Sequence, residues 1–178
     1  MKNNKLDYYI FIEELNEIIV RNLIKLKQKK IKIHIICTKK DFLIISKFSK
    51  KNKIPLYFIN NLKLAIQYKA DGVFLTSSNK SLKNNIKQTT KLEVIGSAHS
   101  QLEYSIKRKQ NCSTIMLSPI FYNIKYSTNK ILNPIKFNLI TLNWNIKVCA
   151  LGGINNKNIK KINLTKSNSI GIKSLVQT

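Results

Sequence analysis

The part of the chain that decides the fold is residues 31–76, IKIHIICTKKDFLIISKFSKKNKIPLYFINNLKLAIQYKADGVFLT. It holds three short apolar runs rich in β-branched and aromatic residues, at 31–37, 56–59 and 72–76. Between them lie two segments, 42–48 and 62–68, whose apolar residues recur at helical spacing. This strand, helix, strand, helix, strand order is typical of a parallel α/β protein.

The same alternation continues on both sides of this stretch and predicts eight strands. The remaining strands are expected at 8–12, 92–95, 114–117, 148–151 and 170–175, and the remaining helices near 15–23, 101–109, 137–142 and 156–162. Eight such units predict a closed (β/α)₈ barrel of the TIM type, as a single domain over 1–178 with a truncated last helix. An open doubly wound sheet is the alternative, but no glycine-rich turn follows the first strand.

The charge of the chain is strongly basic. Its 32 Lys and Arg against 8 Asp and Glu give a formal net charge of +24. Only Arg21 and Arg108 are arginines, whereas specific phosphate and base contacts rely on the guanidinium group. Lysine, asparagine and isoleucine are abundant together, which is typical of A+T-rich coding. We therefore do not expect a nucleic-acid-binding protein, although attraction to small anions remains.

The apolar runs and the cysteines indicate a cytoplasmic protein. No run approaches the roughly 18 residues that span a bilayer, and the N-terminus lacks a signal-peptide core. Cys37, Cys112 and Cys149 are widely spaced, and each lies in an apolar run. This pattern predicts buried free thiols in a reducing compartment and no zinc site.

The candidate chemistry follows the predicted strands at their C-terminal ends, where barrel active sites are built. Leu151-Gly152-Gly153-Ile154-Asn155 follows strand seven, so two glycines leave backbone N–H groups open to a phosphate. Ser174, near the end of strand eight, adds a hydroxyl donor. The alternative is a tight strand-to-helix turn with no ligand.

Two further turns could contact a ligand. After strand five, Gly96-Ser97-Ala98-His99-Ser100 offers Ser97 as a hydrogen-bond donor, and His99 is expected to cap the helix or fix the turn. After strand six, the long irregular segment carries Lys125 and Lys130, which are expected to act as a lid over an anionic ligand. A solvated loop without this role is the alternative.

The order of five motifs resembles a known family. They are residues 54–60 (IPLYFIN), 70–75 (ADGVFL), 97–100 (SAHS), 118–121 (SPIF) and 150–154 (ALGGI). In order and spacing they are similar to the motifs of thiamine phosphate synthase and its thiazole tautomerase relatives, over roughly 54–176. The first third of the chain agrees only in its alternation of strands and helices.

The resemblance implies a (β/α)₈ transferase of thiamine biosynthesis that binds phosphorylated small molecules. Such an enzyme joins an aminopyrimidine diphosphate to a thiazole phosphate and releases pyrophosphate. The residues it implies are Asn60, Ser97 and Lys39 on the pyrimidine side, and Gly152, Gly153, Ile172 and Ser174 at the thiazole phosphate.

The resemblance also implies Mg²⁺, and here this sequence departs from the family. The two metal-binding aspartates of the family fall on Asn61 and Asn79, whose neutral amides bind Mg²⁺ more weakly than carboxylates do. Asp41, after strand two, is the only carboxylate expected at the same end of the barrel. The family histidine of the tautomerases is replaced by Pro119.

Three hypotheses therefore stay open. The first is a synthase-like transferase with a degenerate metal site. The second is a non-catalytic protein that binds thiamine phosphate or thiazole phosphate, and the third is a basic nucleic-acid-binding protein. The sequence leaves the oligomeric state open.

Overall fold

The computed structural model describes residues 6–38, 41–82, 90–122 and 130–173. Within them, eight parallel strands close into a barrel in the order β1 to β8, with β8 paired to β1. The strands are β1 Asp7–Ile12, β2 Ile33–Cys37, β3 Leu56–Ile59, β4 Gly72–Leu75, β5 Glu93–Ala98, β6 Thr114–Leu117, β7 Lys147–Leu151 and β8 Ser169–Ile172. The predicted (β/α)₈ barrel is confirmed. The expected truncated last helix falls on 174–178, outside the described residues.

The helices follow the predicted alternation, with two differences. They are α1 Glu17–Gln28, α2 Phe42–Asn52, α3 Leu62–Gln67, α4 Gln101–Lys109, α5 Asn133–Thr141 and a 3₁₀ helix, Ile159–Leu164. The helix expected over 137–142 begins earlier, because Pro134 suits a first helical turn.

The helix expected over 156–162 is replaced by turns and this 3₁₀ helix. The Asn158 side-chain oxygen accepts from the N–H of Asn155, whose own side-chain oxygen accepts from the N–H of Lys157. Asparagine side chains that bond to nearby backbone in this way compete with an α-helix.

Polar side chains fix where the helices begin. Asn16 caps α1 by accepting from the N–H of Ile19. At α4 the cap is Ser100, which accepts from the N–H of Glu103, while the Glu103 carboxylate accepts from the N–H of His99. The pair differs from a capping box in that the carboxylate binds the N–H of the residue before the cap, not of the cap itself. Of the two roles expected for His99, capping is performed by the neighbouring serine, whereas fixing the turn agrees with the contact between its ring and Ser118.

Two apolar clusters divide the side chains of the strands. One lies between the barrel and its helices, and the other fills the barrel interior. The buried members of the interior cluster are Tyr9, Ile36, Tyr57, Phe74, Ile95, Met116 and Cys149. Because successive side chains of a strand point to opposite faces, a residue two positions from a member of this cluster on the same strand also points into the barrel.

The N-terminal end of the barrel interior is polar. The Tyr57 hydroxyl donates to the Glu93 carboxylate at 2.6 Å, and Ser113 donates to its other oxygen at 2.6 Å. The His34 ring stacks on Tyr9 with 4.4 Å between ring centroids. A cavity of about 680 Å³ opens beside His34, Tyr57 and Glu93. Glu93 lies on the face opposite the expected active site, as predicted.

The three cysteines are buried free thiols, as predicted. Burial raises the pKa of the Cys112 and Cys149 thiols to about 12. Among the described residues, no group of three or more His, Cys, Asp or Glu side chains could hold a metal ion. In the same part of the chain, no helix has the length and apolar character needed to cross a membrane.

Candidate active site

The candidate site lies at the mouth of the barrel, which we define as the C-terminal ends of β1 to β8 and the loops that follow them. Ser97 is 7% exposed and lies two residues after Ile95, which belongs to the interior cluster. It pairs with Met116 of β6, another interior residue. The alternation along β5 therefore directs the Ser97 side chain into the barrel near its mouth.

Asn60 and Asn79 join the loops after β3 and β4. Asn60 has a left-handed backbone with a φ of 48°, and its side chain donates to Thr76 Oγ1 at 2.8 Å. Its oxygen accepts from the N–H of Thr76 and from Asn79 Nδ2, both at 3.1 Å. Asn60, Asn61 and Asn79 line one cavity of about 80 Å³. These three predicted residues thus converge at one edge of the mouth.

The two asparagines at the family's metal positions do not fit Mg²⁺. Asn61 caps α3, since its oxygen accepts from the N–H of Leu64 at 2.9 Å. The Asn79 oxygen accepts from the N–H of Ser81 and from Gln110 Nε2, both at 3.2 Å. Mg²⁺ needs hard oxygen ligands, preferably anionic, whereas these two neutral oxygens are already engaged in hydrogen bonds.

The glycine loop after β7 packs on the loop after β6. Gly152 and Gly153 have φ values of 92° and 72°, which favour glycine. A Cβ at Gly153 would collide with the carbonyl oxygens of Phe121 and Tyr122. Among the described residues, the N–H groups of these two glycines donate no backbone hydrogen bond. Within this part of the chain they have no backbone acceptor, which is what a phosphate site would require.

The other predicted phosphate and lid residues are described only in part. Ile172 is 2% exposed, and its side chain belongs to the cluster between barrel and helices, so only its backbone could contact a ligand. Lys130 is exposed. Lys39, Lys125 and Ser174 lie outside the described residues. The phosphate and lid roles stay predictions.

His99 links the loops after β5 and β6. Its Nδ1 lies 2.8 Å from the carbonyl oxygen of Ser118 and 3.1 Å from the Ser118 hydroxyl. A Cβ at Gly152 would lie 3.5 Å from the Ser118 side chain. The loops after β5, β6 and β7 therefore meet near one side chain, Ser118, which the sequence had indicated only as part of a motif.

The sequence analysis missed an ion pair at the mouth. Glu13, directly after β1, accepts from Lys173, directly after β8, at 2.6 Å. The expectation that Asp41 is the only carboxylate at this end is therefore wrong. The signal was present, because Glu13 is the first residue beyond a predicted strand. The sequence analysis instead assigned Glu13 to the helix that follows.

The sequence analysis also missed a buried lysine. Lys107 of α4 is 0% exposed, and its Nζ donates to the carbonyl oxygen of Asn79 at 2.7 Å. It also donates to Gln110 Oε1 at 2.8 Å. One signal could have found it, since Lys107 follows the buried Tyr104 by three residues and so shares its helix face.

Comparison with known proteins gives consistent results. The family model described as thiamine monophosphate synthase matches residues 12–175. A thiamine-phosphate synthase of Prochlorococcus marinus subsp. pastoris is 31% identical over 125 residues, which cover 69% of this chain and 35% of that protein. The synthase of another Prochlorococcus marinus strain is 32% identical over 114 residues, covering 63% of this chain and 33% of that protein. The chain thus spans about a third of the length of these curated relatives.

Solved structures share the fold. Thiamine phosphate pyrophosphorylase from Pyrococcus furiosus superposes with a TM-score of 0.74 at 19% identity, covering 96% of this chain and 87% of that one. An aldolase from Escherichia coli K12 gives 0.67 at 11% identity, covering 96% and 76%. At these identities the structures support the barrel alone, whereas the family model covers nearly the whole chain. The chain therefore belongs to the thiamine monophosphate synthase family.

Proposed function

We propose that this protein is a transferase of the thiamine phosphate synthase type. In this reaction the bond between the pyrimidine methylene carbon and the diphosphate oxygen breaks, and its electron pair leaves with pyrophosphate. The thiazole nitrogen then forms the new carbon–nitrogen bond. The observation that carries the proposal is the glycine loop after β7 of a barrel in this family, whose N–H groups donate no backbone hydrogen bond within the described residues.

The thiazole phosphate would bind at the loops after β7 and β8. Within the described residues, the N–H groups of Gly152 and Gly153 donate no backbone hydrogen bond, so they are proposed to donate to the phosphate. Backbone donors of this kind bind phosphate without requiring a particular cationic side chain. Ser174 and the backbone of Ile172 are proposed to complete this half of the site.

The pyrimidine would bind on the opposite side of the mouth, near Asn60 and Ser97. The Asn60 side chain is held in place by two bonds to Thr76, so its orientation does not depend on the ligand. Ser97 points into the barrel from β5 and offers a hydroxyl. Lys39 and the lid lysines, Lys125 and Lys130, are proposed to face the phosphates.

The test is formation of thiamine phosphate by purified protein from both substrates, measured by mass spectrometry with Mg²⁺ and with EDTA. We expect product with the wild-type chain. Gly153→Ala should abolish it, because the new Cβ meets two carbonyl oxygens and displaces the loop. Asn155→Ala, in the same loop, is the control and should keep most of the activity. Absence of product from wild-type protein under both conditions would refute the transferase.

A non-catalytic protein that binds thiazole phosphate or thiamine phosphate is the second candidate. Asn61 and Asn79 favour this second candidate. Their neutral amides stand where the family has carboxylates, so the metal of the family would have no anionic ligand there. This candidate predicts saturable binding of thiamine phosphate in EDTA, measured by calorimetry, without turnover. Binding that Gly153→Ala leaves unchanged would contradict both candidates.

A further inference from the structure

The segment after β6 fixes two peptide groups of the glycine loop after β7. The Leu151 carbonyl oxygen accepts from the N–H of Ile120 at 3.0 Å, and the Gly152 carbonyl oxygen accepts from the N–H of Phe121 at 3.1 Å. The C=O and N–H groups of a trans peptide point in opposite directions. The next N–H groups, those of Gly152 and Gly153, therefore point away from this segment. Backbone bonds alone orient both of them.

This segment is itself anchored to the end of β5. Nδ1 of His99 lies 2.8 Å from the carbonyl oxygen of Ser118. Because a carbonyl oxygen only accepts, Nδ1 carries the hydrogen and donates it. The N–H of Ser118 also donates to the carbonyl oxygen of Ala98, at 3.4 Å. The first two peptide groups of the glycine loop thus have a fixed support that does not involve the residues after Gly153.

The third peptide group is held by a side chain. The Gly153 carbonyl oxygen accepts from Asn158 Nδ2 at 2.8 Å. Asn155 Nδ2 lies 3.4 Å from the same oxygen, which is longer than the usual N–H···O hydrogen bond. The other end of the Asn158 amide, Oδ1, accepts from the N–H of Asn155 at 2.9 Å, so this amide is held at both ends. Asn158 therefore orients the peptide that joins Gly153 to Ile154.

The glycines make this contact important. Gly152 and Gly153 have φ values of 92° and 72°, and glycine changes its backbone angles at little steric cost. The Ile154 side chain is 4% exposed and packs between barrel and helices, which fixes the end of the loop. Among the described residues, no backbone N–H donates to the Gly153 carbonyl oxygen, and the N–H of Ile154 donates no backbone hydrogen bond. The orientation of this one peptide therefore depends on Asn158.

We propose that Asn158 is a positioning residue of the phosphate site. By holding the Gly153 carbonyl oxygen, it turns the N–H of Ile154 toward the phosphate as a third donor beside those of the two glycines. Consecutive N–H groups that are already oriented bind an anion without a further cost of ordering. Asn158 contacts no ligand and acts only through the peptide. The inference rests on the proposed function, because the ligand of this loop is the phosphate proposed there.

The experiment compares thiamine phosphate with thiamine, which differ only in the phosphate. Isothermal titration calorimetry with Mg²⁺ gives both Kd values, and we define the phosphate preference as the Kd of thiamine divided by that of thiamine phosphate. We expect Asn158→Ala to lower this preference about tenfold by weakening thiamine phosphate alone. A merely structural role would weaken both ligands alike.

Asn155→Ala is the matched control, because it makes the same change in the same loop. Its amide has only the long contact with the Gly153 carbonyl oxygen, so the phosphate preference should change less than about twofold. A wild-type protein without phosphate preference, equal weakening of both ligands by Asn158→Ala, or equal effects of the two variants would overturn the proposal.

A second variant keeps the test decisive if Asn158→Ala does not fold. Asn158→Asp keeps the acceptor for the N–H of Asn155 but has no donor for the Gly153 carbonyl oxygen. Asn156→Asp adds the same charge at an exposed position of the same loop and is its control. We expect the phosphate preference to fall at least tenfold in Asn158→Asp and about twofold in Asn156→Asp. Equal losses would show that only the charge acts, which would overturn the positioning role.

The two proposals fail differently. If the wild type forms thiamine phosphate while Asn158→Ala keeps the full phosphate preference, the transferase stands and the positioning role falls. If Asn158→Ala loses the phosphate preference but the wild type forms no thiamine phosphate, the positioning role stands and the transferase falls.

Discussion

Replacing Tyr57 by Phe isolates one buried hydrogen bond of the barrel. The Tyr57 side chain is 1% exposed, and its hydroxyl donates to the half-buried Glu93 carboxylate at 2.6 Å. Hydrogen bonds to charged groups contribute about 1.5–3 kcal/mol. The second contact, with His34 Nδ1 at 3.4 Å, is long and adds little. We therefore expect Tyr57→Phe to lower the free energy of unfolding by about 2 kcal/mol.

Tyr104→Phe is a matched control for this prediction. The Tyr104 hydroxyl is buried and has no hydrogen-bond partner among the described residues, and its ring stacks on Trp144 with 4.0 Å between centroids. Removing it should change the stability by less than about 0.5 kcal/mol or increase it slightly. Urea unfolding followed by circular dichroism measures the free energy of unfolding of both variants. In thermal unfolding, the Tm of Tyr57→Phe alone should fall by about 4–8 °C. Equal losses in the two variants would refute the assigned roles of the hydroxyls.

Three further outcomes are expected. Burial raises the pKa of Glu93, but the hydrogen bonds from Ser113 and Tyr57 outweigh it and hold the pKa below its ordinary 4.5. The ionised Glu93 therefore stabilises the fold above that pH, and this stabilisation is lost as the pH falls below it. Urea unfolding at several pH values should show that the stability difference between wild type and Glu93→Gln shrinks in acid. The thiols should resist Ellman's reagent in the folded protein and react fully in urea; fast reaction without urea would contradict their burial. Asn61→Ala should cost about 1 kcal/mol in urea unfolding by removing the cap of α3, whereas Asn61→Asp should not, and a similar loss in both would argue against capping.

The barrel could be predicted because its signals are local. Each strand is a short apolar run, and each helix up to α4 shows apolar residues at helical spacing, so their order alone specified eight parallel strands. The prediction failed after β7, where the asparagine side chains at 155 and 158 bond to the backbone. The spacing of apolar residues carries no information about such bonds. The segment therefore forms turns and a 3₁₀ helix where an α-helix was predicted.

The candidate site was only partly predictable. The glycines at 152 and 153 and the asparagines at 60, 61 and 79 were found because they follow strands directly. The bonds that engage these asparagines were not found, since whether an amide is free to bind a metal depends on its neighbours. Glu13 and Lys173 stand 160 positions apart in the chain and meet only because β8 pairs with β1.

The sequence by itself determined the closed barrel and the family, because these follow from the order of short motifs. Its charge of +24 indicated an attraction for anions without locating it. Only the tertiary structure decided where one positive charge is enclosed. Lys107 is one of three basic residues in the last turn of its helix, and it alone among them is buried, because the glycine of β5 leaves space for its side chain.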